Sequence, residues 1–205
     1  MAGGKDPAVL SIRKSRKFFK PRLALYKAKI WLLENWPFKG KSRVRAYYRK
    51  KCREAKQKIT IVTPYFVPRR WLVKLLREAA HRGVKVEVII PAETDIRIVN
   101  FAQRVFARDL ADFIDFFFIP EMNHAKVLLI DDREGLIGSN NIDAQSFDLN
   151  LEASIVFRRK DMVGNLRHIL ERWKKMALPF EKVDRYNKWH HKILGFFINL
   201  LKPIL

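Results

Sequence analysis

The sequence predicts an α/β protein in which a mixed β-sheet is flanked by helices, with basic amphipathic helices at both ends. Three observations support this prediction. The 205-residue chain is 48% hydrophobic, which is enough to form a core. Between residues 59 and 157, short β-rich runs alternate with helical stripes, as they do in layered α/β proteins. The segments on either side of this alternation are strongly basic.

The N-terminal segment is predicted to form two basic helices. Apolar residues recur at helical spacing through the first one: Phe19, Leu23, Tyr26, Ile30 and Leu33. Pro37 and Gly40 then interrupt the pattern before a second helix at 42–57. Together these helices would form an extension, residues 1–58, that either covers the sheet or contacts a membrane.

The central segment, residues 59–176, is predicted to be one α/β domain. Its β-rich runs are short and end at turn residues: 59–63, 84–90, 114–119, 125–130, 136–137 and 151–157. Helical stripes separate the first three runs and follow the last: 71–80, 98–110 and 162–176. The acidic turn at 131–135 is short enough to join antiparallel neighbours, so we expect a mixed sheet.

The C-terminal tail, residues 177–205, is predicted to contain an amphipathic helix. Its apolar residues share one helical face: Trp189, Ile193, Phe196, Phe197, Leu200 and Leu201. A face of this kind is suited to a lipid headgroup layer, and equally to covering a protein surface. The sequence leaves both alternatives open.

Positive charge is concentrated at the two ends of the chain. The net charge of +21 divides into +16 for residues 1–58, −3 for 59–157 and +8 for 158–205. Basic ends around a weakly acidic middle suit docking onto an anionic surface better than they suit a basic substrate channel. We therefore expect the chain to contact an anionic phospholipid membrane surface.

The sequence also limits where the chain is expected to act. Cys52 is the only cysteine, which excludes an internal disulfide and favours a reducing compartment. No run approaches the roughly 18 to 20 apolar residues of a spanning helix. Residues 1–12 lack the apolar run of a secretory signal. These features predict a peripheral or monotopic protein on the cytoplasmic side of a membrane.

The chemically informative stretch begins at His124. Along a β-strand, His124 and Lys126 point to the same face, so an imidazole and an ammonium converge. A neutral imidazole can attack phosphorus, and Lys126 can neutralise the non-bridging oxygens. The amide of Asn141 can donate a further hydrogen bond to those oxygens. This chemistry requires no cofactor or metal, and no Asp, Glu and His cluster at metal-ligand spacing accompanies it in the sequence.

These residues belong to a longer pattern. Its members recur at fixed spacing: His124, Lys126, Asp131, Gly138, Ser139, Asn141 and Asp143. The pattern resembles the HKD motif of the phospholipase D superfamily, present here as a single copy. Segments 63–68 and 120–124 look most similar to the C-terminal half of bacterial cardiolipin synthases. The resemblance extends over about half the chain, from Ile59 to Glu152.

The resemblance implies a role for each matching residue. His124 would be the nucleophile that forms a phosphohistidine intermediate. Three residues would bind the substrate phosphate: Lys126, Ser139 and Asn141. Glu152, together with Ser139, would hydrogen-bond around the imidazole, and Asp131 would be a supporting acid. The resemblance implies no cofactor and no metal.

Two departures from the family pattern limit this reading. Gln145 stands where the family usually has arginine, which leaves the substrate preference open. The family's site uses two histidines, one as nucleophile and one as general acid, whereas this sequence carries one motif. A homodimer, as in the small single-motif nucleases of the superfamily, or a second chain would have to supply the other motif.

Two enzymatic functions follow from these observations. The first is a membrane-associated, cardiolipin synthase-like phosphatidyltransferase or phospholipase. The alternative is a dimeric phosphodiesterase or endonuclease acting on nucleic acid. The weakly acidic middle favours the first, because a nuclease needs cationic contacts close to the scissile bond. A binding protein with a decayed site is disfavoured, because both His124 and Lys126 are present.

Overall fold

The computed structural model describes residues 29–36 and 42–183. Seven strands form one sheet among these residues: β1 (Ile30–Asn35), β2 (Lys58–Val62), β3 (Lys85–Pro91), β4 (Asp115–Ile119), β5 (Val127–Ile130), β6 (Glu134–Gly138) and β7 (Glu152–Phe157). The helices of the same residues are α1 (Arg43–Glu54), α2 (Arg70–His81), α3 (Arg97–Leu110), α4 (Ala144–Asp148), α5 (Lys160–Lys175) and α6 (Phe180–Val183).

The sheet is mixed, as the sequence predicts. Its order is β1-β7-β6-β5-β2-β3-β4. β2, β3 and β4 are parallel because α2 and α3 provide the long crossovers that parallel strands need. The other pairs are antiparallel, and a tight turn joins β5 to β6. Asp131 and Asp132 make this turn with φ angles of 51° and 50°, a region that aspartate tolerates better than most residues.

Residues 30–35 correct one prediction. They form strand β1, whereas the helical spacing of Ile30 and Leu33 predicted a continuing helix. β1 pairs antiparallel with β7, from Ile30 opposite Phe157 to Asn35 opposite Glu152. This pairing satisfies the backbone groups of β7, whose edge would otherwise be open. The rest of the predicted first helix, and the predicted C-terminal helix, lie outside the described residues.

The second predicted N-terminal helix is confirmed as α1. The Ser42 hydroxyl caps it by accepting a hydrogen bond from the Arg45 backbone N–H at 3.1 Å. Its apolar side chains Val44, Tyr48 and Cys52 are buried in the main core. α1 thus packs against the sheet, most of whose strands follow it in the sequence. The division of the chain at residues 58 and 176 remains a prediction.

Helices cover both faces of the sheet. On one face, α1, α2 and α3 bury the largest core around residues such as Leu76 and Phe66. On the other face, α5 packs against β5 and β7 through Val163, Leu166 and Leu170. None of the helices in the described part of the chain combines the length and the apolarity that crossing a bilayer requires.

The α5 helix leaves part of its face of the sheet uncovered. Leu32, Ile137 and Ile155 are 52%, 43% and 47% exposed on β1, β6 and β7. Ile155 is the register partner of both Leu32 and Ile137, so the three side chains form one row across neighbouring strands. We call these three residues the apolar row.

The buried carboxylate of Glu134 is neutralised inside the fold. Glu134 accepts a hydrogen bond from the Tyr47 hydroxyl and forms ion pairs with Lys51, at 3.0 Å, and Arg158. Burial alone would raise the pKa of Glu134, but these three partners outweigh it and hold the pKa below its usual range. Such buried charges are tolerated only when they are paired and hydrogen-bonded.

Candidate active site

His124 lies at one end of β5, in the segment that leads into the strand. Its side chain is exposed. The ring of Tyr65 lies edge-on to the imidazole, with 6.3 Å between the two ring centroids. The strand begins at Val127, two residues later than predicted, so His124 and Lys126 precede it. The Gly138 N–H still donates to the Lys126 carbonyl at 3.2 Å, which fixes this segment beside the end of β6.

Lys126 is a buried cation beside the predicted nucleophile. It is 8% exposed, and its Nζ donates to the His124 carbonyl oxygen at 2.7 Å. Burial lowers the pKa of Lys126, while the charges of Glu152 and Asp143 act in the opposite direction. An ammonium that has lost much of its hydration interacts more strongly with an anionic substrate group than a solvated lysine does.

Ser139 and Glu152 form a fixed pair where β6 meets β7. The Ser139 hydroxyl donates a short hydrogen bond to Glu152, which is 6% exposed. The same hydroxyl accepts from the Ala153 N–H at 3.1 Å, and Asn150 donates to Glu152 at 3.4 Å. These contacts lock the position of the serine hydroxyl and of the carboxylate.

Gly138 is required for this close approach of the strands. A Cβ added there would lie 2.6 Å from the Ala153 carbonyl oxygen and would collide with the Ser154 side chain. The Gly138–Ser139 pair is therefore explained by packing as well as by chemistry: the glycine lets β6 approach β7, and the serine then reaches Glu152.

Segment 63–68 is hydrogen-bonded to Ile142, in the loop that follows Ser139. The Val67 N–H donates to the Ile142 carbonyl at 2.8 Å, and the Ile142 N–H donates to the Thr63 hydroxyl at 3.3 Å. Thr63 in turn donates to the Tyr65 carbonyl at 2.9 Å. These bonds explain why segment 63–68 accompanies the motif, because they place Tyr65 next to His124.

Asn141 and Asp143 follow the serine in the same loop. The buried Oδ1 of Asn141 has no hydrogen-bond partner among the described residues, so it is available to accept a hydrogen bond from a ligand. Asp143 caps α4 by accepting from the Ser146 N–H at 2.6 Å. Burial raises the pKa of Asp143. Gln145 is exposed in the first turn of α4.

The structure does not bring Asp131 to the other predicted site residues. It follows the opposite end of β5, about 16 Å from Lys126 at roughly 3.3 Å per residue. Its carboxylate accepts backbone N–H groups of Lys56, Gln57 and Lys58 at 3.0, 2.7 and 2.9 Å. Burial alone would raise the pKa of Asp131, but these donors hold it below its usual range. Asp131 thus fixes the start of β2.

Tyr65, Asp95 and Asn150 were assigned no role from the sequence. Tyr65 donates its hydroxyl to Asp95 at 2.8 Å, and this hydrogen bond raises the pKa of Tyr65. The tyrosine therefore remains a neutral phenol beside His124. The signal that could have identified it is its place in segment 63–68, but its contact with His124 spans 59 positions of sequence and depends on the fold.

Comparison with known proteins identifies the family of the chain. The family described as "Cardiolipin synthase, PLD-like domain" matches residues 48–174. Cardiolipin synthase A of Pseudomonas putida is 34% identical over 154 residues, which are 74% of this chain and 32% of that protein. The chain thus spans about a third of the length of this relative.

Two solved structures share the fold at low sequence identity. Nuc, a phospholipase D family member from Salmonella typhimurium, superposes with a TM-score of 0.61 at 18% identity, covering 73% of this chain and 97% of Nuc. The phosphatidylserine synthase of Haemophilus influenzae gives a TM-score of 0.66 at 17% identity, covering 86% of this chain and 48% of that one. By its family match, the chain belongs to the phospholipase D-like domain family of cardiolipin synthases.

Proposed function

We propose that the chain is a phosphatidyltransferase or phospholipase that acts on anionic phospholipid at a membrane surface. The observation that carries this proposal is the grouping of exposed His124 with buried Lys126, whose charge is coupled to Glu152, in a chain that matches the cardiolipin synthase domain family. The family match also supports an enzyme that transfers phosphodiester groups.

The proposed reaction has two steps. The neutral imidazole of His124 attacks the lipid phosphorus, a P–N bond forms, and the P–O bond to the leaving alcohol breaks. A second histidine gives that alcohol its proton. A lipid alcohol or water then attacks the phosphohistidine and returns its proton to the second histidine as the P–N bond breaks. Lys126 and the amide of Asn141 neutralise and bind the non-bridging oxygens in both steps.

A second copy of this chain is proposed as the source of the second histidine. The apolar row supports this, because two of its exposed residues lie on the strands that lead into the site. Ile137 precedes Ser139 by two residues along β6, and Ile155 follows Glu152 by three residues along β7. An exposed apolar surface near a site that needs a partner is suited to covering by that partner.

The pairing can be tested with one substitution and a matched control. Ile155→Asp should lower the dimer population in sedimentation velocity and lower activity in parallel, because it places a charge in the interface. Ile169→Asp places the same charge on an exposed apolar position of α5 and should change neither. A fully active monomer would overturn the pairing, and activity restored by adding a different motif-bearing chain would assign the partner role to that chain.

The chemistry is tested by trapping the intermediate. Labelled phosphatidylglycerol or cardiolipin should leave an acid-labile, base-stable phosphoramidate on His124, and His124→Ala should abolish both label and turnover. His168→Ala, at an exposed position of α5, serves as the control and should keep both. Full activity of His124→Ala would overturn the mechanism. Cleavage of plasmid DNA without turnover of either lipid would overturn the substrate and favour the nucleic-acid alternative.

A further inference from the structure

A second concave site lies at the end of the sheet opposite His124. The β5–β6 turn, the end of β7 and the first turns of α5 enclose a pocket of about 410 Å³. β7 spans the distance from Glu152, in the site, to Arg158, in the pocket wall. Six residues of strand correspond to about 20 Å. The pocket is thus separate from the proposed catalytic centre.

Positive charge converges on this pocket. Four of its lining side chains are cationic: Arg133, Arg158, Lys160 and Arg167. One lining residue is acidic, Asp132, and it is already paired with Lys58 at 3.1 Å. We call this cavity the basic pocket.

Three of the four cations form no ion pair within the described residues. Arg158 is paired with buried Glu134, and its guanidinium lies 5.2 Å from the centre of the Trp31 ring, so its position is fixed. Arg133, Lys160 and Arg167 form no ion pair with a carboxylate in the part of the chain that the structure describes, and all three are exposed. Like charges around one cavity repel each other, and an anion between them relieves that repulsion.

The shape of the pocket favours an anion larger than a simple ion. Gly164 lines it, and a Cβ built there would meet no atom within 4 Å, so the wall is open at this point. The volume lies in the range of small-molecule sites, about 300 to 1,000 Å³. The N–H groups of an arginine guanidinium match the oxygens of a phosphate group, which they bind through paired hydrogen bonds.

We propose that the basic pocket binds a phosphate ester, either the headgroup of an anionic phospholipid or a soluble ester such as glycerol phosphate. Both sources present the same group, a phosphate on a small polar alcohol. The Arg158 N–H donates to the Lys29 carbonyl at 2.9 Å, so Lys29 lies beside this pocket. In the sequence, residues 1–28 carry eight Lys or Arg and one acid.

The test compares two charge-matched double variants of the full chain. Arg133→Gln with Arg167→Gln removes two charges from the basic pocket. Arg172→Gln with Lys175→Gln removes two charges from exposed positions near the other end of α5. Binding is measured to vesicles of phosphatidylcholine with and without phosphatidylglycerol, and to glycerol 3-phosphate by calorimetry.

We expect the pocket variant to weaken binding at least tenfold and the control to weaken it less than twofold. Loss with vesicles alone identifies a lipid headgroup as the ligand, and loss with glycerol phosphate identifies a soluble ester. Equal weakening in both variants, or weakening in neither, would overturn the proposal, because charge alone would then explain the binding.

A third variant protects the test against misfolding. Gly164→Glu places a carboxylate among the pocket cations at a position where the added Cβ meets no atom, so the protein should fold and still lose binding. Hydrolysis of a short soluble phosphodiester should be unchanged in every pocket variant. This assay reports on the proposed catalytic site and not on the pocket. The pocket proposal and the proposed function can therefore fail independently of each other. Retained binding in folded Gly164→Glu would also overturn the proposal.

Discussion

The two ends of strands β5 to β7 carry charge in opposite ways. At the proposed catalytic end, Lys126 and Glu152 are 8% and 6% exposed and their charges interact inside the protein. At the other end, Arg133 and Arg167 are exposed and face an open pocket. Buried charges act over short distances and are weakly screened by salt, whereas exposed charges act at longer range and are strongly screened. The first arrangement is suited to stabilising a reacting group, and the second to attracting a ligand.

This difference leads to the largest predicted effect. Lys126→Met should lower kcat about 100-fold or more, because about 3 kcal/mol of stabilisation of the charged transition state is lost. Binding to phosphatidylglycerol vesicles should change less than twofold, since the substitution leaves the basic pocket intact. Single-turnover kinetics and vesicle co-sedimentation measure the two quantities separately. A rise in KM with unchanged kcat would make Lys126 a docking residue and remove the contrast between the two ends.

The second prediction concerns Glu134, which holds the pocket residue Arg158 and the α1 residues Tyr47 and Lys51. Glu134→Gln should lower the free energy of unfolding by about 2 to 3 kcal/mol at neutral pH, because two cations lose a buried partner. Vesicle binding should be retained, since the pocket keeps its positive charge. Urea titration and co-sedimentation test this. An unchanged free energy of unfolding would mean that the ion pairs and the hydrogen bond of Glu134 contribute little to stability.

The pH dependence of stability follows from the same group. The pKa of folded Glu134 lies below the ordinary value of 4.5, so its ionised form is favoured by folding. Its contribution is complete above the unfolded pKa and is lost as pH falls through the lowered folded pKa. The free energy of unfolding of the wild type should therefore decrease below about pH 4.5, and that of Glu134→Gln should decrease less steeply. Parallel pH curves for the two proteins would contradict this assignment.

The sequence predicted the central strands because their signals are local. The runs that became β2 to β7 are bounded by their own turn residues, and the turn at 131–135 specifies an antiparallel neighbour. β1 was predicted wrongly because its spacing fits a helix. What makes residues 30–35 a strand is the open edge of β7, more than 100 residues away in sequence. Local pattern contains no information about that edge.

The two ends also differed in how far the sequence could predict them. Most residues of the proposed catalytic end were predicted from one pattern, because His124, Lys126, Ser139 and Asn141 lie within 18 positions. Asp131 belongs to the same pattern, yet the strand carries it to the far end of β5. The cations of the basic pocket are scattered between 133 and 167, and they meet only because a turn, a strand end and a helix converge.

The smallest predicted effect compares two glycines. Gly164→Ala should raise the free energy of unfolding by about 0.5 to 1 kcal/mol, because alanine is the better helix former and the new methyl group meets no atom. Gly83→Ala should lower it by about 1 kcal/mol or more, although there too the methyl group meets no atom. The difference is the backbone, since Gly83 has φ +83° and ends α2. Thermal and urea unfolding of both variants tests this prediction. A stabilising effect smaller than a few tenths of a kcal/mol at Gly164 would mean that the methyl group is obstructed, and the basic pocket would then be less open than the structure shows.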